Sequence, residues 1–171
     1  IHTVTVSKVL KKYEWDDKQF YDKKEENLLN YDKVFQEAGS YAELIKNNID
    51  ELNLKNNTII IFFSDHGTGV GERFGERNYG SFTFEETIRS FYLFMGNEIV
   101  KNRSNNSLRE TIDFFPTILE LTGIEKMNLP GESFSQFLTR DNEKLENKSN
   151  VFSETGALQG PYPSPEEPNV F

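Results

Sequence analysis

Apolar residues recur at spacings of three and four between Tyr31 and Leu52, at Val34, Ala38, Tyr41, Ala42, Ile45, Ile49 and Leu52. That spacing lines one face of an α-helix and predicts a long amphipathic helix with one buried stripe. Gly39 lies inside it and costs about 1 kcal/mol relative to Ala, which the rest of the stripe offsets. Lys55, Asn56 and Asn57 supply a polar turn, after which Thr58 to Phe63 is an apolar, β-favouring run without alternation. Such a run suits a strand buried on both faces, as in a parallel sheet. Helix, short turn and buried strand make half of a βαβ unit.

On either side the pattern is less regular. Ile1 to Val6 alternates and supports a short strand, while Lys8 to Asn30 is charged and aromatic without a clean period, predicting a surface excursion with one or two helical turns. Thr68 to Gly80 holds four glycines with Glu72, Arg73, Glu76 and Arg77, the composition of an irregular connection at a strand's mouth. Connections of that length are usually functional or mobile. Phe82 to Ile88 is aromatic and acidic, Phe91 to Met95 predicts a second buried strand stopped by Gly96, and Asn97 to Ser107 is polar. A second helix follows, with Asp113 as N-cap, Pro116 in the first turn, apolar Phe115, Ile118, Leu119 and Leu121, and Gly123 as the C′ residue. Met127 to Leu138 predicts a loop and a short helix, Asp141 to Asn150 a solvated linker and Val151 to Ser153 a last strand, before a proline-rich end. The 171 residues fit one domain, expected to be partial, with residues 1–30 as lead-in, 31–140 as core and 141–171 as linker, strand and tail.

Composition narrows the function classes. Fifteen Phe and seven Tyr make the core-forming surface heavily aromatic. A net charge of −9 argues against a sequence-independent grip on nucleic acid or an anionic membrane surface, and no basic cluster reverses it. The absence of cysteine removes disulfides, thiolate metal sites and a cysteine nucleophile together. No run approaches a transmembrane helix in length, and residues 1–10 lack the features of a signal peptide. The chain opens on Ile1 rather than Met, so it is expected to be a processed chain or an excised piece. Four Asn-x-Ser/Thr sequons, at Asn56, Asn102, Asn105 and Asn147, are what chance gives in a chain rich in these residues. His2 reads as a bystander and Asp16-Asp17 as solvated.

The candidate chemistry sits at the end of the first predicted strand, in Ser64-Asp65-His66-Gly67. Loops at the carboxyl ends of strands are where open α/β sheets bind ligands. An Asp followed by a His can put a hard oxygen and an imidazole nitrogen on one metal ion, with Gly67 letting the backbone turn closely. The bland reading makes Asp65 a cap and His66 a donor to a carbonyl; position and neighbours favour the metal.

The motif order carries a resemblance. Tyr31-Asp32 in the long helix, Ser64-Asp65-His66-Gly67, Gly71-Glu72, Tyr79-Gly80, Phe84-Glu85-Glu86 with Arg89, Asp113-Phe114-Phe115-Pro116-Thr117, Leu121-Thr122-Gly123-Ile124 and Gly131-Glu132-Ser133-Phe134 follow one another. Together they resemble the carboxyl-proximal part of the sulfatase family, within the alkaline phosphatase superfamily. The resemblance implies an α/β three-layer sandwich with a mixed, largely parallel sheet. It also implies a divalent cation, Ca2+ first and Mn2+ as the alternative, with Asp65 and His66 as two of its ligands. Two further acidic ligands and the formylglycine nucleophile belong, by the resemblance, to an amino-terminal half that this chain does not contain. The slot that relatives fill with a cation reads Tyr79-Gly80, and a phenol donates a hydrogen bond without charge. Arg77 or Arg73 is spaced to substitute, Glu72 is placed to orient the loop or reach substrate, and Glu154 falls in a region that, by the resemblance, relatives place close to the substrate entrance. Asp113 is assigned a structural role. The implied function is metal-dependent hydrolysis of a small-molecule or glycan sulfate ester by the complete enzyme, with no nucleic-acid or membrane partner for this segment. Two rivals stay open: a phosphoryl or phosphonate ester hydrolase or phosphoglycerol transferase of the same superfamily, and a non-catalytic module.

Overall fold

The computed structural model describes residues 20–73, 82–124 and 127–154. The predicted strand at Ile1 to Val6, and His2, Asp16, Asp17, Glu76, Arg77 and Tyr79, lie outside the described residues. Two compact units form, one from residues 20–52, 66–73 and 82–91 and one from residues 53–65 and 92–153. No helix among the described residues is long and apolar enough to cross a membrane.

The first unit is built on α1, Lys24–Glu51, with Glu25 and Glu26 in its first turn, where carboxylates face the positive end of the helix dipole. The helix begins seven residues before the predicted Tyr31, so the helical turns expected before it are, over residues 24–30, part of one continuous element. The periodicity does extend back, but in asparagines: Asn27 and Asn30 are its buried positions, and they continue the face of Val34, Ala38 and Tyr41. The apolar stripe itself is half-buried instead of buried, and at its far end Ile45 and Leu52 are exposed. Phe20 and Val70 are the fully buried apolar residues of this unit. Tyr31 meets Phe35 edge-on at 5.0 Å, and Phe35 lies 6.2 Å from Phe91. The unit also holds α2, the short turn Glu85–Ile88.

The second unit opens with a 3-10 turn, Lys55–Asn57, where the predicted turn stood, after Asn53 at φ +56. It leads into β1, Ile60–Phe63, which pairs with β2, Tyr92–Met95, in the register Ile60↔Met95 to Phe63↔Tyr92. Both strands stand where the hydrophobic runs predicted them. The pairing is antiparallel, and the burial expected on both faces is absent: Phe63 and Leu93 are about half exposed. Among the described residues the sheet has two strands, so each strand lacks the second neighbour and the two covering layers that bury a parallel strand. One face is covered by rings: Phe63, Tyr92 and Phe94 gather around Phe114, and Phe94 meets Phe134 edge-on at 5.9 Å.

α3, Phe114–Leu121, ends as predicted at Gly123, φ +69. Ile124 N–H donates to Leu119 O at 3.0 Å and Gly123 N–H to Glu120 O at 3.2 Å, the paired bonds of a Schellman ending. Asp113 is structural, but it does not cap α3 through its side chain. It closes a 3-10 turn, Thr111–Asp113, its Oδ2 accepting Glu110 N–H at 3.1 Å. Its Oδ1 accepts Glu132 N–H at 2.7 Å, and one turn on Thr117 Oγ1 accepts Phe134 N–H at 3.1 Å. The Asp-x-x-Pro-Thr and Gly-Glu-Ser-Phe motifs are therefore two halves of one joint. Beyond it lies α4, Ser135–Thr139, the short helix predicted there.

One prediction near the end needs correction and one gains detail. Residues 141–150, expected as a solvated linker, are mostly exposed and also hydrogen-bonded to the rest of the second unit: Ser107 Oγ donates to Leu145 O at 2.8 Å, Leu108 N–H to Asn147 Oδ1 at 2.8 Å, and Lys148 Nζ reaches Asp113 at 2.7 Å and Glu110 at 2.8 Å. Val151 to Ser153 forms no strand; Phe152 N–H donates to the Glu110 carboxylate at 3.0 Å instead of to a strand neighbour.

Candidate functional site

The chain leaves β1 through Ser64 and Asp65, whose side chain is exposed, and His66 begins a loop packed on α1 and α2. His66 is half-buried, with Nδ1 2.6 Å from Gly67 O. A carbonyl only accepts, so this contact places a proton on Nδ1, and Nε2 is the nitrogen that a metal would take from the neutral ring. The bland reading of His66, a donor to a carbonyl, and the metal reading are therefore compatible in one ring.

Gly67 is fixed from the other side. Its N–H donates to Thr87 O at 2.9 Å, and a Cβ there would run into the Glu86 carbonyl and lie 3.0 Å from Arg89 O. The glycine is required because the loop lies flat on α2, a reason of close approach that the sequence pattern does not show. Thr87 is buried and its hydroxyl serves Phe82 O at 2.8 Å and Phe84 O at 2.9 Å, which fixes the turn that receives the loop.

Farther along, both polar groups of Val70 are held. Glu72 Oε2 accepts Val70 N–H at 2.7 Å, and Val70 O accepts from Asn27 Nδ2 at 3.1 Å. Glu72 is thereby bonded within its own loop. Tyr31, one turn beyond Asn27 on α1, is hydrogen-bonded to the Thr68 side chain. Burial pushes its phenol above the ordinary value and the Glu72 charge adds to that, against the Thr68 bond. Arg73 is engaged within its own unit: its Nε donates to Glu86 Oε1 at 2.6 Å and its guanidinium lies 4.2 Å over the Phe84 ring. Glu86 is held below the ordinary glutamate value by its own backbone hydrogen bond and, against some burial, by Arg73. Glu154 is exposed. Among the described residues, no three His, Cys, Asp or Glu side chains come together to hold a metal ion.

Asn27 was invisible to the sequence reading, because a polar residue in a charged, aperiodic stretch carries no signal until its burial is known. Glu86, Thr87 and Arg73 form a second group whose partnership spans residues that sequence spacing does not relate.

A family model described as Sulfatase matches residues 3–124 of the chain. The chain belongs to the sulfatase family. This sulfatase segment is 35% identical over half its length to "Arylsulfatase K" of Rattus norvegicus, covering 15% of that protein. It is 30% identical over 73% of its length to "Arylsulfatase" of Chlamydomonas reinhardtii, covering 18% of it, and 29% identical over 66% to "Extracellular sulfatase SULF-1 homolog" of Drosophila melanogaster, covering 10% of it. The chain thus spans less than a fifth of the length of these relatives. Membership places it in the α/β class of the alkaline phosphatase superfamily, to which the described helices and antiparallel strand pair contribute.

Proposed function

We propose that this chain is part of the catalytic domain of a metal-dependent sulfuric ester hydrolase and contributes two ligands, Asp65 and His66, to its divalent cation. The His66 contact carries the proposal: with Nδ1 bonded to Gly67 O, Nε2 is the nitrogen we assign to a ligand, inside the segment matched by the Sulfatase model. An exposed carboxyl group and an imidazole nitrogen fit a cation such as Ca2+ or Mn2+ as a partial donor set. When bound, such a cation supplies Lewis acidity toward the oxygens of a sulfate ester. The residues of this chain hold the loop: Gly67 seats it on α2, and Glu72 fixes the Val70 peptide. Arg73 braces α2 through Glu86, and the positive charge toward the ester is proposed for Arg77 or Arg73, with a neutral hydrogen bond from Tyr79. The substrate class is a small-molecule or glycan sulfate ester, in keeping with relatives named arylsulfatase and extracellular sulfatase. The remaining acidic ligands, the formylglycine nucleophile and the parallel part of the sheet are proposed for the amino-terminal half of the domain.

Calorimetry with Ca2+ and Mn2+ tests this directly. The 171-residue chain should bind weakly or not measurably and turn over no aryl sulfate, because two donors make an incomplete set. Tight, stoichiometric binding would contradict the shared site. In the parent reading frame, upstream sequence should encode an Asp-Asp pair after a strand and a Cys/Ser-x-Pro-x-Arg motif. In the complete protein, Asp65→Asn or His66→Ala should lower metal affinity and sulfate-ester hydrolysis by at least about a hundredfold.

A further inference from the structure

We propose that Asn27 is a positioning residue for the Asp65-His66 loop, a role that rests on the metal reading above. Asn27 is buried, with 4% of its surface exposed, and both protons of its carboxamide are spent on backbone carbonyls: Phe20 O at 2.6 Å and Val70 O at 3.1 Å. Those carbonyls belong to segments separated by 50 positions in the chain. A buried amide satisfied in this way holds the two segments in one relation, because losing it leaves two carbonyls without their donor.

The grip falls where it controls the loop. Val70 is held by Asn27 at its carbonyl and by Glu72 at its N–H, and the following Gly71 sits at φ +110 with the position of a Cβ 3.3 Å from Phe20 O and 3.6 Å from Asn27 Nδ2. Three residues earlier, Gly67 is held by Thr87 at its N–H and by the His66 ring at its carbonyl. The segment from His66 to Gly71 is therefore fastened at both ends, to α2 by Gly67 and to α1 by Val70. Between these points only Thr68 and Gly69 remain, with Thr68 tied to Tyr31. Loosening the Val70 end lets the short span rotate about the Gly67 end, and the His66 ring moves with it.

The test uses the 171-residue chain with Asn27→Ala and, as the milder change, Asn27→Ser. Asn30→Ala serves as the control: Asn30 is buried on the same helix, but its described bond is accepted from Lys33 at 3.2 Å and not from the loop. Amide hydrogen exchange should accelerate at least about tenfold at Gly67, Val70 and Gly71 in the Asn27 variants, with residues 34–48 of α1 unchanged, and the control should leave the loop amides as they were. Equal loosening by Asn30→Ala, at a matched loss of global stability, would overturn the proposal, as would wild-type exchange at Gly67. Should neither Asn27 variant fold, the wild-type carboxamide decides: its protons should exchange at least about tenfold more slowly than a free amide, and free-amide rates would overturn the role. Line broadening by Mn2+ provides the separate arm. Broadening centred on His66 in the wild type, weakened severalfold in Asn27→Ala, supports both readings. An unbroadened wild type, the no-binding case of a two-donor set, leaves the exchange arm to decide the clamp, and broadening unchanged by the variant removes the clamp.

Discussion

Gly67 shows how a single atom sets the geometry of this loop. An Ala there places a methyl group against the Glu86 carbonyl and 3.0 Å from Arg89 O, both backbone atoms that cannot swing away. Gly67→Ala should therefore destabilise the first unit by about 1 to 3 kcal/mol, read from denaturant unfolding by circular dichroism, and should weaken the Thr87 bond seen in amide exchange. An Ala variant as stable as wild type would mean that the loop does not lie on α2. At this scale the sequence was informative about residue types and silent about partners. Asp65 and His66 stand out because a carboxylate and an imidazole next to each other after an apolar run have few uses. Asn27, Glu86 and Thr87 do not, since their roles depend on burial and on backbone groups many positions away. Arg73 is the instructive case: its charge made it a candidate cation, and its Glu86 and Phe84 contacts give it a bracing task.

At the scale of elements, α1 was read from its apolar stripe, and the stripe located the helix while misplacing its start. The turns before Tyr31 bury Asn27 and Asn30, so the helical face continues in residues that a hydrophobicity pattern counts as polar. Gly39 tests the propensity argument cleanly, because it lies exposed within α1 with nothing near the position of a Cβ. Gly39→Ala should stabilise the chain by about 0.5 to 1 kcal/mol, measured as a raised denaturant midpoint at constant m-value. Gly123→Ala has equal room but the opposite sign, since its φ of +69 is the left-handed conformation that a Cβ resists, and it should cost about 1 kcal/mol. If both substitutions shift stability the same way, the helix-end assignment is wrong. The strands were legible for a similar reason: short apolar runs bounded by Asn57 and Gly96 mark position, but periodicity says nothing of direction or of how many neighbours a strand has. Hence the runs were located and their burial was overestimated.

At the scale of the whole molecule, charge and long-range order meet at Lys148. Its ammonium reaches Asp113, fully buried, at 2.7 Å and Glu110 at 2.8 Å, fastening a segment with the composition of a linker to the start of α3. Burial pushes the Asp113 carboxyl up, but Lys148 and the N–H groups of Glu132 and Glu110 outweigh it and hold the acid below its ordinary 3.8. Burial likewise opposes the charge on Lys148, and the two carboxylates overcome it, raising the amine above 10.5. A depressed acid stabilises the fold above its unfolded value and loses that contribution as pH falls through the folded one. A raised amine stabilises below its unfolded value and loses its contribution as pH rises through the folded one. The joint should therefore hold from about pH 4 to pH 10 and weaken beyond both limits. Lys148→Met removes the cation and leaves the Asp113 charge buried with N–H donors alone, which should cost about 3 kcal/mol at neutral pH. It should also raise the Asp113 value, so that acid unfolding begins at a higher pH. The added change Asp113→Asn relieves the buried charge and should recover part of the loss; urea unfolding of the four chains in this cycle between pH 3 and pH 8 measures the coupling. A coupling near zero would mean that Lys148 lies in solvent and that residues 141–150 are the free linker their composition suggests.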